Sequence, residues 1–458
     1  MKLWKLAFLL IAVLLFQSCK DKSIDVQEPA NNLDPDEVLS GGAATVFISG
    51  AQAFSSPAPN LSSASMDEHN KGDFQFEQKF VANPSPINGG LGPLYNNVSC
   101  FNCHTSDGRG KPPDAGESLE SMLIRISIPG TDQHSGPNPV TGFGSQLQDK
   151  ALFGYEPEGN VNVSYIEIPG KYPDGTTYSL RKPLIIISGR AAGGILVSPR
   201  VAPSVHGMGL LEAIPEDAIL KNTDEFDTNN DGISGKPNYV WDYETGTIKL
   251  GRFGWKANQP GLLQQVASAY VEDMGITNPL FKMENCHTNT ICDSSSDDPE
   301  ISQEILEAVT FYVRTLGVPA RRDYDKPDVL KGKELFNNIG CSSCHIPEFR
   351  TGAYLVPELS NQKIFPYTDM LLHDMGDGLA DNRPDFKAGG REWKTAPLWG
   401  IGLVNVVNGH TNFLHDGRAR SFEEAILWHD EEAKKSKIKF MNLYKEERDY
   451  IIKFLNSL

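Results

Sequence analysis

Positive charge is scarce in this chain. Its 42 lysines and arginines stand against 59 aspartates and glutamates, which gives a formal net charge of −17 at pH 7. A nucleic-acid-binding protein needs a basic face to neutralise phosphates. The charge balance therefore argues against nucleic acid as a partner, and it suits a soluble protein that meets a basic partner.

Long apolar runs are also scarce, and the single uninterrupted one runs from Leu6 to Phe16. Eleven residues are too few to span a bilayer as a helix, but they suit the apolar core of a signal peptide, with Lys2 and Lys5 before it. We predict a lipoprotein-type signal peptide over residues 1–19, with Cys19 lipidated. The alternative is an ordinary cleaved signal peptide that removes Cys19. Both predict an exported protein, either periplasmic or an outer-membrane lipoprotein.

Two short motifs of the form CxxCH carry the clearest chemistry, at Cys100–His104 and Cys341–His345. In such a motif the two thiols add across the vinyl groups of a haem, and the adjacent histidine becomes the proximal iron ligand. The predicted haem-binding thiols are Cys100, Cys103, Cys341 and Cys344, and the predicted iron ligands are His104 and His345. Zinc sites or thioredoxin-like cysteines do not explain a histidine at that position twice. We therefore predict two covalently bound haem c groups.

The two motifs belong to an internal repeat, because residues 94–104 match residues 335–345 in register. The shared lead-in of leucine, an aromatic residue, two asparagines, an aliphatic and a small residue indicates two related haem units.

The remaining cysteines are few. Of seven in the chain, Cys19 and the four motif thiols leave Cys286 and Cys292. In an oxidising compartment this pair predicts a short-loop disulfide. No thiol is left over, which argues against a thiol-based enzyme.

The pattern along the chain predicts a mainly α fold with two cytochrome c-like haem domains, the first enlarged by β-hairpin insertions. We place a tether at 20–40, the N-terminal haem domain with its insertions at 41–321, and the C-terminal cytochrome c domain at 326–458. Alternating residues in 161–168 and the run 184–188 predict strands. Apolar residues at helical spacing predict a helix over 301–316.

The sixth ligand of each haem decides whether it carries electrons or reacts. Ser421 and Glu424 form a capping box that starts a helix, and His429 falls on the apolar face of that helix. His429 is therefore the predicted distal ligand of the C-terminal haem, with Met375 and His415 as competitors.

No residue stands out as a distal ligand of the N-terminal haem, so an open iron site is expected there. The histidines that remain available are His69, His134 and His206. Cleavage of a peroxide also needs a group that moves a proton between its oxygens. Glu272 and Asp273, at the end of a predicted helix, are the candidates.

A calcium-like loop runs from Asp227 through Asn229 and Asp231 to a glycine at its sixth position. Its twelfth residue is Asn238, where a complete EF-hand has glutamate. The segment is a candidate Ca²⁺ site, and the alternative is a solvated turn.

Several stretches resemble the bacterial di-haem cytochrome c peroxidase and MauG superfamily, closest to its di-haem oxidoreductase branch, which is sometimes labelled thiol oxidoreductase. They are residues 90–96, 105–113, 202–215, 250–256, 274–278, 393–400 and 413–425.

The resemblance implies a peroxide-reactive N-terminal haem and an electron-transfer C-terminal haem. It places the distal ligand of the C-terminal haem, usually methionine or tyrosine in the superfamily, at His429. The distal-pocket glutamate falls in the region of Glu272 and Asp273. The tryptophan between the haems has no counterpart at Leu210, and Trp255, Trp393 and Trp399 are its possible replacements.

The predicted function is a di-haem peroxidase-type oxidoreductase that reduces H₂O₂ at the N-terminal haem with electrons passed through the C-terminal haem. The alternatives are a non-catalytic electron-transfer cytochrome and a MauG-like oxidase of a partner protein. The expected partners are a peroxide and an electron-donor protein of the small cytochrome or cupredoxin type. Contact with the membrane would be through the N-terminal lipid alone.

Overall fold

A computed structural model describes residues 34–190, 194–285 and 298–458. The predicted signal peptide, Cys19, most of the predicted tether and the predicted Cys286–Cys292 disulfide lie outside these ranges. Within them, no helix is long and apolar enough to cross a membrane.

The α-helices of the described ranges are mostly short. They are α1 Ser63–Glu77, α2 Cys100–Cys103, α3 Met208–Glu212, α4 Glu216–Leu220, α5 Leu262–Met274, α6 Gln303–Thr315, α7 Pro327–Ile339, α8 Val404–Asn408, α9 Phe422–Trp428, α10 Lys434–Asn442 and α11 Lys445–Ser457. The helix predicted over 301–316 is confirmed as α6, which Ser302 caps by accepting a hydrogen bond from the backbone N–H of Ile305. Its buried face includes Leu306, Val309 and Tyr312.

The strands of the described ranges form small separate sheets. They are β1 Thr45–Val46, β2 Leu94–Tyr95, β3 Met122–Thr131, β4 Pro137–Asn138, β5 Gln146–Leu147, β6 Lys150–Ala151, β7 Asn160–Lys171, β8 Thr177–Ser188, β9 Leu196–Val201, β10 Tyr239–Asp242, β11 Thr247–Leu250, β12 Val318–Pro319, β13 Phe349–Arg350, β14 Lys363–Ile364, β15 Leu372–Asp374 and β16 Glu392–Lys394. The two predicted strands are confirmed within β7 and β8, which form a long antiparallel hairpin with Val163 paired to Ile185.

The predicted fold class is wrong. The described residues are 30 % helix and 20 % strand, so this part of the chain is a mixed α and β fold and not mainly α. The strands are not confined to hairpin insertions before the first domain boundary, because β13–β16 lie in the C-terminal part of the chain. Strands of two or three residues are too short to show the alternation that identifies a strand in a sequence.

Each motif lies beside its own hydrophobic cluster. Cys100 packs against a cluster built largely by α5 and α6, with Tyr270 and Tyr312 at its centre. Cys341 packs against a second cluster, which includes Phe336 of α7 and Phe454 of α11. The first core places its motif against helices that are far from it in sequence, and the second combines α7, which directly precedes its motif, with the distant α11.

The last part of the predicted tether belongs to the folded body. A 3₁₀ turn at Pro35–Val38 buries Glu37, whose carboxylate pairs with Arg321 and, at 2.5 Å, with Lys333. Residues 34–458 form one compact unit. The boundary between the two predicted haem domains stays a prediction.

Candidate functional site

The two motif histidines are held in the same way. The Nδ1–H of His104 donates to the carbonyl of Pro203 at 2.7 Å, and that of His345 donates to the carbonyl of Tyr367 at 3.0 Å. A backbone acceptor at Nδ1 fixes the tautomer and leaves the Nε2 lone pair for a metal. Burial lowers the pKa of both imidazoles to about 4, so both rings are neutral and able to ligate iron.

The motif thiols are not paired in disulfides. Burial raises the pKa of Cys100, Cys103 and Cys341 to about 12. All four motif thiols lie deep in the protein yet keep some accessible surface.

The C-terminal motif lines a cavity of about 290 Å³, and His429 lines the same cavity. His429 directly follows α9, and its Nδ1–H donates to the carbonyl of Ala425 at 2.7 Å. This bond mirrors those of the motif histidines. Burial, followed by the charge of His429, lowers the pKa of His345, so the two rings lie within electrostatic range of each other. The residues therefore fit a haem, which His345 and His429 could both hold through their free ring nitrogens.

One of the two competing ligands is less well placed. His415 stacks on Trp393 with ring centroids 3.6 Å apart and planes 9° apart, and burial lowers its pKa to about 3. Met375 also lines the cavity, and its thioether stays a competing ligand. His429 is the candidate whose ring bond matches those of the motif histidines.

A buried charged cluster, which the sequence reasoning missed, lies beside the C-terminal motif. His373 is 3 % exposed and lies between the carboxylates of Asp369 and Glu432, each 2.7 Å from a ring nitrogen. Although burial opposes the charge, the carboxylate of Asp369 is the main cause that raises the pKa of His373 well above its usual value. Sequence reasoning considered this segment for Met375 alone, and nothing local marks Glu432 as the partner of His373.

The structure separates the two predicted acid/base residues near the N-terminal motif. Asp273 lies within electrostatic range of Cys100 and Cys103, and burial raises its pKa. Glu272 lies toward Ser145, at 3.2 Å, and Arg125, at 3.8 Å. Asp273 is therefore the better candidate for proton transfer at this motif.

The two carboxylate oxygens of Asp273 differ in their hydrogen bonding. Gln146 Nε2 donates to Asp273 Oδ1 at 2.7 Å, whereas Oδ2 accepts no hydrogen bond within the described ranges. Nearby, the Tyr270 hydroxyl is buried without a partner in the described part of the chain. Tyr270 lies one helical turn before Asp273 on α5 and is also within electrostatic range of Cys100. Sequence reasoning missed Tyr270 because a tyrosine on an apolar helix face is typical of a core residue.

The three histidines considered for the N-terminal iron each contact other groups. His69 Nδ1 lies 2.8 Å from Thr315 Oγ1, His134 stacks on Trp241, and His206 stacks on Phe54. They do not emerge as distal ligands of the first motif.

The three candidate tryptophans all line the cavity of the C-terminal motif. Trp255 donates to the carbonyl of Val201 and Trp393 to that of Leu379, while the Trp399 indole N–H has no partner in the described ranges. These contacts do not single out one of them as a bridge.

The calcium-like loop forms a hydrogen-bonded turn, but its twelfth residue, Asn238, does not join the other candidate ligands. Asp227 Oδ1 accepts the N–H of Gly232 at 3.1 Å, and Asn229 and Asp231 accept backbone N–H groups in the same way. Asn238 is buried away from the loop, where its amide bonds the backbone of Lys256 and Asp385. Lys435 Nζ donates to the Asp231 carbonyl. This ammonium group would repel a Ca²⁺ ion bound by the loop and compete with it for the same oxygen.

Comparison with known protein families gives one match. The family described as "Di-haem oxidoreductase, putative peroxidase" matches residues 35–193 and 188–458. No curated protein matches the chain.

Proposed function

The chain belongs to the di-haem oxidoreductase family, and from that premise we propose that it is a peroxidase-type enzyme that reduces H₂O₂ at its N-terminal haem with electrons passed through its C-terminal haem. The observation that carries this proposal is the difference between the two motifs. His345 has a second histidine, His429, across its cavity, whereas the first motif has the carboxyl group of Asp273 nearby.

A haem supplies iron that can bind a peroxide and accept or donate electrons when one coordination position is open. The protein supplies the rest. Nδ1–H bonds to backbone carbonyls orient His104 and His345 as proximal ligands. Asp273, whose pKa is raised by burial, can hold a proton on Oδ2 and transfer it, because Gln146 already occupies Oδ1.

The proposal is tested by low-temperature EPR of the fully oxidised protein, followed by titration with H₂O₂. We expect one high-spin and one low-spin ferric signal, with peroxide changing the high-spin signal. Two low-spin signals that peroxide leaves unchanged, before and after half-reduction, would instead identify a non-catalytic electron carrier.

We further propose that the haems are attached covalently through Cys100, Cys103, Cys341 and Cys344. Denaturing electrophoresis followed by haem staining distinguishes covalent from dissociable haem. Replacing both cysteines of one motif with serine should halve the stain, and replacing all four should abolish it. Stain lost entirely on acid–acetone extraction of the unaltered protein would contradict the proposal.

The proposed location is outside the cytoplasm, with Cys19 as the lipidated residue and a small cytochrome or cupredoxin as electron donor. Radiolabelled palmitate should label the protein in bacterial cells, and Cys19→Ala should remove the label. Unlabelled protein in the periplasmic fraction would favour the ordinary signal peptide. Calcium is left out of the proposal because of the position of Lys435.

A further inference from the structure

The segment that follows His429 is held by ion pairs of Asp430 with Lys437 and of Glu431 with Arg391, and its most buried anchor is the carboxylate of Glu432. Glu432 lies three residues after His429, and its two oxygens accept four hydrogen bonds. Oε2 accepts from His373 Nδ1 at 2.7 Å and from the Ser234 N–H at 2.9 Å, and Oε1 accepts from the Ser234 hydroxyl and the Asp374 N–H, both at 2.8 Å. A carboxylate can accept about four such bonds, so Glu432 is saturated. Although burial opposes this, the bond from His373 is the main cause that lowers the pKa of Glu432 to about 2.

The second ring nitrogen of His373 bonds the chain segment that orients His345. His373 Nε2–H donates to Asp369 Oδ2 at 2.7 Å, and Asp369 lies two residues after Tyr367. The carbonyl of Tyr367 is the acceptor that orients His345. His373 therefore bridges the segment that holds His345 and the segment that carries His429.

His373 also lies against the haem-binding motif itself, since its Nδ1 is 3.6 Å from Cys344 Sγ. Cys344, Asp369 and His373 are close enough to form a metal site. Both ring nitrogens of His373 already donate to carboxylates, however, and the proposed thioether occupies Cys344. A structural role in the haem pocket accounts for the cluster better than a separate metal.

We propose that His373, together with Asp369 and Glu432, is a positioning residue that fixes His429 opposite His345 and so keeps the C-terminal iron closed to external ligands. This inference rests on the proposed function, because it takes His429 as the distal ligand. Without the bridge, the residues after α9 lose their most buried anchor, and His429 can move away from the iron.

The test is CO binding by the dithionite-reduced, di-haem protein, followed by the Soret band of each haem. In the unaltered protein we expect CO to bind the N-terminal iron alone. Glu432→Gln keeps the shape of the side chain but removes the charge that pairs with His373. His373→Gln removes the imidazolium, and its two N–H donors lie on one nitrogen, so it cannot span the two carboxylates as the ring does. In both variants we expect CO to bind the C-terminal iron of the reduced protein as well, and a high-spin fraction to appear in the ferric EPR signal of that iron when the same variants are fully oxidised.

Glu431→Gln is the matched control, because Glu431 is the adjacent acidic residue but lies half exposed and pairs with Arg391 at 3.0 Å. It should leave the C-terminal iron closed. Circular dichroism and the content of covalent haem show whether each variant is folded. Glu432→Gln, which alters no side-chain volume, keeps the test decisive if His373→Gln does not fold.

His429→Ala separates the two ways of failing. If it opens the C-terminal iron to CO while Glu432→Gln and His373→Gln leave it closed, the positioning role is overturned and the proposed ligation stands. If His429→Ala also leaves the C-terminal spectrum unchanged, His429 is not the ligand, and the proposed assignment falls together with this inference.

Discussion

The two CxxCH regions are alike in how their histidines are held and different in the side chains around them. Each motif histidine donates to a backbone carbonyl, from Pro203 in one case and Tyr367 in the other. His429 lines the cavity of the C-terminal motif, whereas the carboxyl group of Asp273 lies within electrostatic range of the N-terminal thiols. The repeated sequence thus gives two similar motifs, and distant segments give each motif different neighbours.

The two regions also differ in whether their buried carboxyl groups are paired with a cationic side chain. The C-terminal carboxylates Asp369 and Glu432 are paired with His373. In the N-terminal region, Asp107 is 2 % exposed, one of its oxygens has no partner in the described ranges, and burial raises its pKa to about 7. Glu432 should therefore stay ionised near neutral pH, whereas Asp107 should titrate there.

The largest effect should come from removing the proton-transfer group of the N-terminal region. Asp273→Asn should lower kcat/KM for H₂O₂ by about 10²- to 10⁴-fold, because general acid–base catalysis contributes about that much. Steady-state peroxidase assays with a reduced donor measure it. Glu272→Gln is the control and should stay near the unaltered rate, since Glu272 lies toward Arg125. Equal losses in both variants would contradict the separation of the two residues.

The second effect tests whether the two regions depend on a shared buried ion pair. Lys256 is fully buried and donates to Asp381 at 2.7 Å, which joins the N-terminal and C-terminal parts of the chain. Lys256→Met leaves Asp381 buried without its closest cation and should lower the free energy of unfolding by about 3–5 kcal/mol.

Urea denaturation followed by circular dichroism measures this loss. Lys249→Met removes a half-exposed partner of Asp242 and should cost at most about 1 kcal/mol. A similar small loss for Lys256→Met would show that the buried pair is replaceable.

The third effect sharpens the contrast in buried charge. Because the folded-state pKa of Asp107 is about 7 and its ordinary value is 3.8, the folded protein binds more protons than the unfolded chain between these pH values. Stability should therefore fall by up to about 4 kcal/mol as the pH rises from about 4 to 7, and Asp107→Asn should remove this dependence. The backbone at this position has φ of +58°, a left-handed conformation that asparagine tolerates as well as aspartate does.

Thermal unfolding at several pH values is the measurement. Glu432→Gln is the counterpart in the C-terminal region. It should leave the slope between about pH 5.5 and 7 unchanged, since Glu432 ionises near pH 2 in the folded protein and near its ordinary value of 4.5 in the unfolded chain. An unchanged slope in Asp107→Asn would mean that Asp107 is ionised in the folded protein throughout this range.

The smallest effect concerns helix caps. Ser421 accepts the Glu424 N–H at 3.1 Å at the start of the helix that ends before His429, and Ser302 caps α6 at 3.3 Å. Replacing either with alanine should cost about 1 kcal/mol. Thermal unfolding should give similar losses, but Ser421→Ala alone should broaden the EPR signal of the C-terminal iron. An equal spectral change in Ser302→Ala would argue against a local link.

Residues that act through their immediate neighbours were predictable from the sequence. The strand alternation, helix α6 and the Ser421 cap follow local rules, and the structure confirms them. His429 was found because its position on the helix face could be worked out from the cap, although its role as a ligand stays a prediction.

Features that depend on contacts between distant segments were not predictable. His373 and Glu432 are 59 residues apart, and His104 and Pro203 are 99 residues apart. A carboxylate beside a distant histidine looks in the sequence like any solvated acid. The fold class was wrong for a related reason, since two-residue strands such as β1 and β12 exist only through their pairing.

The buried Glu37 has a practical consequence for anyone who shortens this protein. A variant starting at residue 41, where the sequence suggested that the body begins, would lose the carboxylate that pairs with both Arg321 and Lys333. The buried guanidinium of Arg321 would then lack the carboxylate that neutralises it, which favours unfolding. Recombinant forms should therefore start at or before residue 34. A protease that cuts between residues 38 and 41 would detach Glu37 from the rest of the chain and so favour unfolding.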